Sequence, residues 1–126
     1  MIVIDTDVLI EIMDKRSAKG EEAFRRILES GESFAITSIT LHEILYGLYK
    51  YAKPVEEVLR LPVLGYGRED AELSAKLELE AEKMGYAISR MDAMVAAIAI
   101  NNNAKLYTFN QKHFKPLESL GLKLFE

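Results

Sequence analysis

The chain has 126 residues, a length that predicts a single domain spanning residues 1–126 around one buried core. Hydrophobic residues make up 49% of it and charged residues 29%, which excludes an intrinsically disordered chain. The formal charge of −4 excludes a broad positive surface for nucleic acid, and the absence of cysteine excludes disulfides, thiolate metal sites and a cysteine nucleophile.

The apolar segments of the chain are too short for a membrane protein. None approaches the roughly 20 residues that cross a bilayer, and residues 1–10 lack the basic start and small-residue cleavage site of a signal peptide. These features predict a cytoplasmic protein with no membrane partner. Only His42 and His113 offer imidazole, and both are expected in packing or surface roles, so any metal would be held mainly by oxygen.

The first half of the chain alternates short apolar runs with helical patterns. Glycine at position 31 closes the second helical pattern, Ser38 is placed to cap the third, and Pro54 is placed to open the fourth. The patterns predict strands over 2–4 and 34–36 and helices over 7–15, 20–30, 38–51 and 54–61.

The second half continues the alternation. It predicts short strands over 64–66, 106–109 and 122–125, helices over 69–84 and 89–102, and a helical turn over 116–120. Strands separated by helices are typical of a parallel sheet covered on both faces. The predicted fold class is therefore α/β, a three-layer α/β/α arrangement with a central, mainly parallel sheet of about five strands.

Three acids distant in sequence are predicted to meet at one edge of this sheet. Asp5 ends the first strand, Glu43 follows the second within one to two helical turns, and Asp92 begins the helix that precedes the strand over 106–109. The strand-to-helix turns of a parallel sheet share its carboxyl edge, where α/β proteins place their sites. Each acid also has a simpler interpretation, because Asp5 and Asp92 would serve as helix caps and Glu43 as an exposed surface residue.

Convergence of the three carboxylates would predict a bound cation. Carboxylates about 4 to 6 Å apart repel one another, so such a cluster needs a proton or a cation between its members. Mg²⁺ and Mn²⁺ prefer oxygen ligands and keep several waters, one of which can supply a nucleophile for phosphodiester hydrolysis.

Four sequence blocks, in order and at the family's spacing, resemble the PIN-domain ribonucleases, specifically the VapC-type toxins of toxin–antitoxin pairs. The blocks are VIDTDVLIE at the start, TSITLHEILYGL around Glu43, MGYAISRMDAMVAAIAI around Asp92, and LYTFNQKHF near the end. The resemblance spans nearly the whole chain and implies an endoribonuclease that needs Mg²⁺ or Mn²⁺.

The resemblance also implies roles for individual residues. By position, Asp5, Glu43 and Asp92 would be the catalytic acids that bind the metal or its waters, and Thr6 and Thr108 would be hydroxyls that orient them. No histidine takes part in the implied mechanism.

The fourth acidic position of the family is occupied here by Asn110. An amide accepts through its carbonyl oxygen but carries no charge, so a second metal would be held less tightly than by aspartate. Asp7 is not one of the family's invariant acids, and it would cap the first helix or supplement the cluster. A PIN scaffold that only binds RNA or protein, having lost its chemistry with the fourth acid, is the alternative function.

The substrate and partners follow from the same resemblance. Lys15, Arg16, Lys50 and Arg90 are candidate phosphate contacts for RNA. Members of the family commonly form homodimers and are inhibited by an antitoxin peptide laid across the active-site side. An aromatic patch suited to either contact is formed by Tyr46, Tyr49 and Tyr51.

Two other classes share part of the acidic pattern. The DTDVL segment is similar to the motif of haloacid-dehalogenase phosphatases, but Leu9 departs from that motif and no later acidic pair follows. A receiver-like signalling module would need an aspartate after the third strand, where Tyr66 and Gly67 stand. Both alternatives are less consistent with the sequence than the PIN interpretation.

Overall fold

A computed structural model describes all 126 residues and contains one five-stranded sheet. The strands are β1 (Ile2–Ile4), β2 (Phe34–Thr37), β3 (Val63–Leu64), β4 (Lys105–Tyr107) and β5 (Lys123–Leu124). Their order across the sheet is β3, β2, β1, β4, β5, and every neighbouring pair is parallel. The predicted α/β class and the five-stranded parallel sheet are confirmed.

Seven α-helices connect and cover the strands. They are α1 (Thr6–Leu9), α2 (Ala18–Ser30), α3 (Ser38–Lys50), α4 (Glu56–Leu59), α5 (Arg68–Lys83), α6 (Arg90–Asn101) and α7 (Gln111–Phe114). A π-helical turn, Ile10–Asp14, continues α1, and a 3₁₀ turn, Lys115–Leu120, continues α7. No helix of this fold combines the length and apolar character that crossing a bilayer requires.

Alternation along β1 divides the core between the two faces of the sheet. Ile2 and Ile4 pack with the buried residues of α1 to α4, whereas Val3 packs with those of α5, α6 and α7. Successive strand residues point to opposite faces, and all three β1 side chains are buried because helices cover both faces. The central strand, and the residue that follows it, are thereby fixed from both sides.

Side-chain caps begin three of the long helices, α2, α3 and α6, close to the predicted positions. Ser17 accepts a hydrogen bond from the Gly20 amide, and Ser89 accepts one from the Asp92 amide. The predicted cap at Ser38 is wrong by one residue, because the side chain of Thr37 accepts from the Thr40 amide. Gly31, with φ of 70°, ends α2 as predicted.

Several predicted boundaries are wrong at the short elements. The helix predicted from 54 to 61 is the single turn Glu56–Leu59, and the strand predicted over 64–66 is Val63–Leu64. The strand predicted over 106–109 is Lys105–Tyr107, and the strand predicted over 122–125 is Lys123–Leu124. The helix α7 was not predicted. The edge strands take their bounds from pairing with β2 and β4, which local apolar runs do not encode.

Gly20 allows α2 to pack directly on the π-helical turn that follows α1. A Cβ at this position would lie 2.0 Å from the carbonyl oxygen of Glu11 and 2.7 Å from the amide nitrogen of Ile12. Both atoms belong to the backbone, so no side-chain rotation would relieve the overlap. The absence of a side chain at Gly20 therefore fixes the distance between α2 and the segment that carries Asp5 and Asp7.

Candidate active site

One acidic pocket lies at the carboxyl edge of the sheet, where β1 and β4 end side by side. The chain leaves β1 toward β2 on one side and reaches β4 on the other, so this is the point at which strand order reverses. The pocket encloses about 290 Å³ and is lined by Asp5, Thr6, Asp7, Ile10, Glu43, Asp92, Asn110 and Phe114. Acids from three separate segments therefore face one cavity.

Asp5 is the buried carboxylate of the pocket, with 8% of its surface exposed. Its Oδ1 accepts a hydrogen bond from the Thr6 amide at 2.9 Å, and its Oδ2 accepts one from the Thr108 hydroxyl at 2.8 Å. Burial, followed by the nearby charge of Asp7, raises the pKa of Asp5 to about 6, and the charge of Asp92 adds to the increase. Asp5 thus serves as the N-cap of α1, and its ionised form places a negative charge in a buried position, which lowers the stability of the fold.

Asp7 ties the first turn of α1 to the loop after β4. Its Oδ1 accepts from the Val8 amide at 2.8 Å, and its Oδ2 accepts from the Phe109 amide at 3.2 Å. Burial raises its pKa, while the hydrogen bonds to Val8 and Phe109 and the charge of Lys19 oppose the increase. Asp7 has a structural role in addition to lining the pocket.

Glu43 is held in place by hydroxyl groups of neighbouring elements. Thr6 donates from Oγ1 to Glu43 Oε1 over 2.7 Å, and the Thr40 hydroxyl lies 3.0 Å from the same Thr6 oxygen. Thr40 is fully buried, so this short chain of oxygens anchors an exposed carboxylate to the core. Thr6, predicted to orient the acids, thus contacts Glu43 through its hydroxyl group.

Asp92 is paired with a histidine and does not complete a capping box. Ser89 caps α6, but no hydrogen bond returns from Asp92 to the Ser89 amide; Asp92 Oδ2 instead lies 3.0 Å from His113 Nε2. The His113 ring packs edge-to-face on Phe114, with centroids 5.3 Å apart. A packing or surface role was predicted for His113, and its contact with Asp92 was missed because α7, which carries His113, was not predicted.

Asn110 lines the pocket beside Thr108. Its backbone amide donates to Thr108 Oγ1 at 3.1 Å, so the hydroxyl that donates to Asp5 also accepts from the following loop. The Asn110 side chain makes no hydrogen bond within the chain, and it is available to the cavity. The pocket therefore brings together Asp5, Glu43, Asp92 and Asn110, which are distant in the sequence.

The PIN domain model matches residues 2–118 of the chain. The chain belongs to the PIN-domain family. Its similarity extends to curated members over almost their whole length. Ribonuclease VapC1 of Methanocaldococcus jannaschii is 31% identical over 99% of this chain and 87% of that protein, and ribonuclease VapC2 of Rickettsia felis is 30% identical over 96% and 95%.

Solved structures of toxin–antitoxin complexes share this PIN fold. VapBC2 of Rickettsia felis, bound to a DNA fragment from its promoter, contains a chain that aligns with a TM-score of 0.80, 27% identity and full coverage of both chains. A toxin–antitoxin complex from Klebsiella pneumoniae aligns with a TM-score of 0.72 and 25% identity over 90% of each chain.

The donor atoms of the PIN pocket fit a hard divalent cation, although they are not assembled around one. The available ligands are carboxylate and amide oxygens, and burial together with the charges of Asp7 and Asp92 raises the pKa of Asp5, so a cation near this carboxylate would be stabilising. No group of three acids or histidines lies close enough together to form a ready-made ligand set. Glu43 and Asp92 are directed to Thr6 and His113, and a cation that keeps its waters does not need all three acids in direct contact.

The cations predicted to contact RNA occupy different settings. Lys15 and Arg16 form ion pairs with Glu11 and Glu57, at 3.3 Å and 2.9 Å. Arg90 forms two hydrogen bonds, each 3.2 Å long, with Glu78. None of the four predicted cations lines the acidic pocket, and Arg16 and Arg90 line other cavities.

Lys50 differs from the other three predicted cations, because it forms no ion pair and lies among exposed tyrosines. Its Nζ is 5.8 Å from the ring centroids of both Tyr46 and Tyr51. Tyr46, Tyr49 and Tyr51 are all more than 60% exposed, so the aromatic patch predicted from the sequence is a surface feature.

Proposed function

We propose that the chain is a divalent-metal-dependent endoribonuclease, the cytoplasmic toxin of a VapBC-type pair. The proposal is supported by membership of the PIN family and by two relatives named VapC ribonucleases that match over nearly their full length. The observation that carries it is the single pocket lined by Asp5, Glu43 and Asp92, which come from three separate segments.

In the proposed site, Mg²⁺ or Mn²⁺ would be held by Asp5 and Asp92, with Glu43 contributing directly or through water. When bound, the cation would activate a water for attack on phosphorus and stabilise charge on the phosphate oxygens. The Thr108 hydroxyl donates a hydrogen bond to Asp5 Oδ2, and the Thr6 hydroxyl donates one to Glu43 Oε1. These hydroxyls restrict the carboxylates to orientations that face the cavity.

The exposed carboxylate of Glu43 is also suited to accept a proton from the attacking water. Its side chain reaches the cavity from α3, and Thr6 occupies only one of its two oxygens. Asp5 is less suited to this role because both of its oxygens accept hydrogen bonds. Asn110 offers a neutral oxygen to the metal or to substrate.

An RNA cleavage assay with and without a chelator distinguishes a metal-dependent nuclease from a PIN scaffold that only binds RNA or protein. Purified protein, shown to be folded by circular dichroism and free of any bound peptide, is incubated with total RNA in Mn²⁺, in Mg²⁺ and in EDTA. We expect cleavage with either metal, none in EDTA, and recovery when Mn²⁺ is restored. RNA that stays intact in every condition but binds the protein would support the scaffold alternative.

The proposed partners are an antitoxin resembling VapB and a second copy of the chain. Support for the antitoxin comes from the VapBC2 complex of Rickettsia felis, whose matching chain has the same fold over its full length. Light scattering on the chain alone and after co-expression with a neighbouring small reading frame measures both assemblies.

His113 is expected to strengthen metal binding by holding Asp92 in position. Its Nε2 lies 3.0 Å from Asp92 Oδ2, which leaves Asp92 Oδ1 free for the cavity. We expect His113→Ala to weaken Mn²⁺ binding about tenfold, because partners that orient metal ligands typically contribute 10- to 100-fold. His113→Gln retains an N–H donor and should bind Mn²⁺ within a factor of about three of the wild type.

Calorimetric titration of Mn²⁺ into each His113 variant, without RNA, measures this effect independently of cleavage. Lys123→Gln, at the opposite edge of the sheet, is the control for general surface changes. Equal Mn²⁺ affinities for the wild type and His113→Ala would show that the contact with Asp92 plays no part in metal binding.

A further inference from the structure

One exposed face of α3 continues from the acidic pocket. Glu43 lines the pocket, and Tyr46 and Lys50 follow it three and seven residues later, which places them on the same side of the helix. Helical rise puts Tyr46 about 4.5 Å and Lys50 about 10 Å along the axis from Glu43. Gly47, also on this face, has open space where a Cβ would stand. We call Glu43, Tyr46, Gly47 and Lys50 the α3 face.

Lys50 gives the α3 face a positive charge that no acid neutralises. Its Nζ makes no ion pair and lies 5.8 Å from the rings of Tyr46 and Tyr51, so aromatic faces are its principal neighbours. By contrast, Lys15, Arg16 and Arg90 are each paired with a glutamate. Lys50 is therefore the predicted cation that remains available to a phosphate.

A second cation without an ion pair lies near the pocket residue Asp7. Lys19 Nζ is 4.1 Å from the centroid of the Phe109 ring and forms no ion pair, and its charge acts on the pocket residue Asp7. Lys19 of α2 and Lys50 of α3 are thus two cations without an ion pair, each beside an aromatic ring. Sequence patterns did not distinguish Lys19 from its neighbours, because the ring that it covers belongs to a segment 90 residues later.

We propose that the α3 face binds the single-stranded RNA next to the scissile phosphate, with one base stacked on Tyr46 and phosphates at Lys50 and Lys19. Stacking on aromatic rings together with backbone contacts to lysine is the common mode of single-strand binding. Single-stranded RNA is favoured over a protein partner because Lys50 leaves a positive charge without an ion pair beside the rings, on a helix face that continues from the acidic pocket. The inference rests on the proposed ribonuclease function and specifies where its substrate lies.

Binding of a fluorescent eight-nucleotide oligouridine, measured by anisotropy in an Asp5→Asn background, tests the α3 face without cleavage. Tyr46→Leu removes the aromatic ring but keeps apolar area, and we expect it to weaken binding about tenfold. Tyr46→Phe keeps the ring and should bind like the parent. Lys50→Gln and Lys19→Gln should each weaken binding and lower the salt dependence of the affinity by about one phosphate contact.

Matched controls lie at the end of the sheet away from the pocket. Phe24 is 37% exposed and its ring packs 6.1 Å from that of Phe34, which begins β2, and Lys123 begins β5. Phe24→Leu and Lys123→Gln should leave RNA affinity unchanged. Equal losses for Tyr46→Leu and Phe24→Leu, or no loss for Tyr46→Leu, would overturn the proposal.

Two further measurements separate this proposal from its alternatives. Unchanged RNA affinity in Tyr46→Leu, together with a changed sedimentation coefficient, would assign the α3 face to a protein partner. Cleavage of RNA by the wild type in Mn²⁺ is measured in parallel. Wild-type cleavage combined with unaltered binding by Tyr46→Leu would overturn the α3 inference alone, whereas loss of binding without wild-type cleavage would support the face and contradict the nuclease.

Discussion

Asp5→Asn is expected to reduce RNA cleavage strongly and at the same time to stabilise the metal-free protein. The carboxylate is 8% exposed, and burial and the charge of Asp7 raise its pKa from 3.8 to about 6. A shift of this size costs about 3 kcal/mol of folding free energy when the group is ionised. The amide carries no charge, so we expect a gain of about 2 kcal/mol, or roughly 5–10 °C in Tm.

Cleavage should fall on the order of 10³-fold in the same variant, because Asp5 is the most buried of the proposed metal ligands. The hydrogen bonds around it can persist, since the Asn oxygen can accept from the Thr6 amide and the Asn amide can donate to the Thr108 hydroxyl. Differential scanning calorimetry in EDTA and cleavage of RNA in Mn²⁺ measure the two effects. Manganese should raise the Tm of the wild type and leave that of Asp5→Asn unchanged.

The control for Asp5→Asn is Asp14→Asn, which removes the same charge from a surface ion pair. Asp14 Oδ1 lies 2.7 Å from Lys53 Nζ, so its loss should slightly lower stability and leave cleavage intact. A Tm of Asp5→Asn at or below that of the wild type in EDTA would contradict the cost assigned to the buried carboxylate.

The stability difference between Asp5→Asn and the wild type should depend on pH with a defined sign. The pKa of Asp5 is raised in the folded state, so its favourable contribution is present below pH 3.8 and is lost as pH rises through about 6. The two proteins should therefore have similar stabilities near pH 4, and the variant should become progressively more stable up to pH 7. Comparing the two proteins at each pH cancels the titration of all other groups.

The sheet and the acidic pocket followed from patterns that are local in the sequence. The apolar run of β1, the helical period of α5 and the glycine at position 31 each specify an element within a few neighbouring residues. A parallel sheet then places the ends of β1 and β4 together, because its strands point the same way. Convergence of Asp5, Glu43 and Asp92 on one pocket was predictable for this reason.

The partners of the pocket residues were not predictable by the same reasoning. The contact between His113 and Asp92 depends on a one-turn helix that local patterning does not indicate, and the cation–aromatic contact between Lys19 and Phe109 joins segments distant in sequence. Ion pairs that neutralise Arg16 and Arg90 likewise depend on tertiary contacts with Glu57 and Glu78. Sequence ranks cations by type, whereas availability to phosphate depends on the acids that folding brings near them.

Asp92→Asn is expected to reduce catalysis with little change in stability. Asp70→Asn is expected to reduce stability with little change in catalysis. Asp92 lies in the pocket with one third of its side chain exposed, and its charge contributes to the raised pKa of Asp5. Removing that charge should cost little stability, because loss of the charge–dipole interaction at the start of α6 is offset by weaker repulsion of Asp5. Cleavage and Mn²⁺ affinity should both fall, cleavage on the order of 10³-fold.

Asp70, in the first turn of α5, is the matched acid that contacts the far end of α6. Its Oδ2 accepts from the Gly67 amide at 2.8 Å and its Oδ1 accepts from Asn101 at 2.9 Å, so it ties the start of α5 to the end of α6. Asp70→Asn should destabilise the fold by about 1 kcal/mol through loss of this cap. Its cleavage at 25 °C should stay near the wild-type rate. Thermal unfolding, Mn²⁺ calorimetry and RNA cleavage on both variants measure the contrast, and full cleavage by Asp92→Asn would remove Asp92 from the proposed metal site.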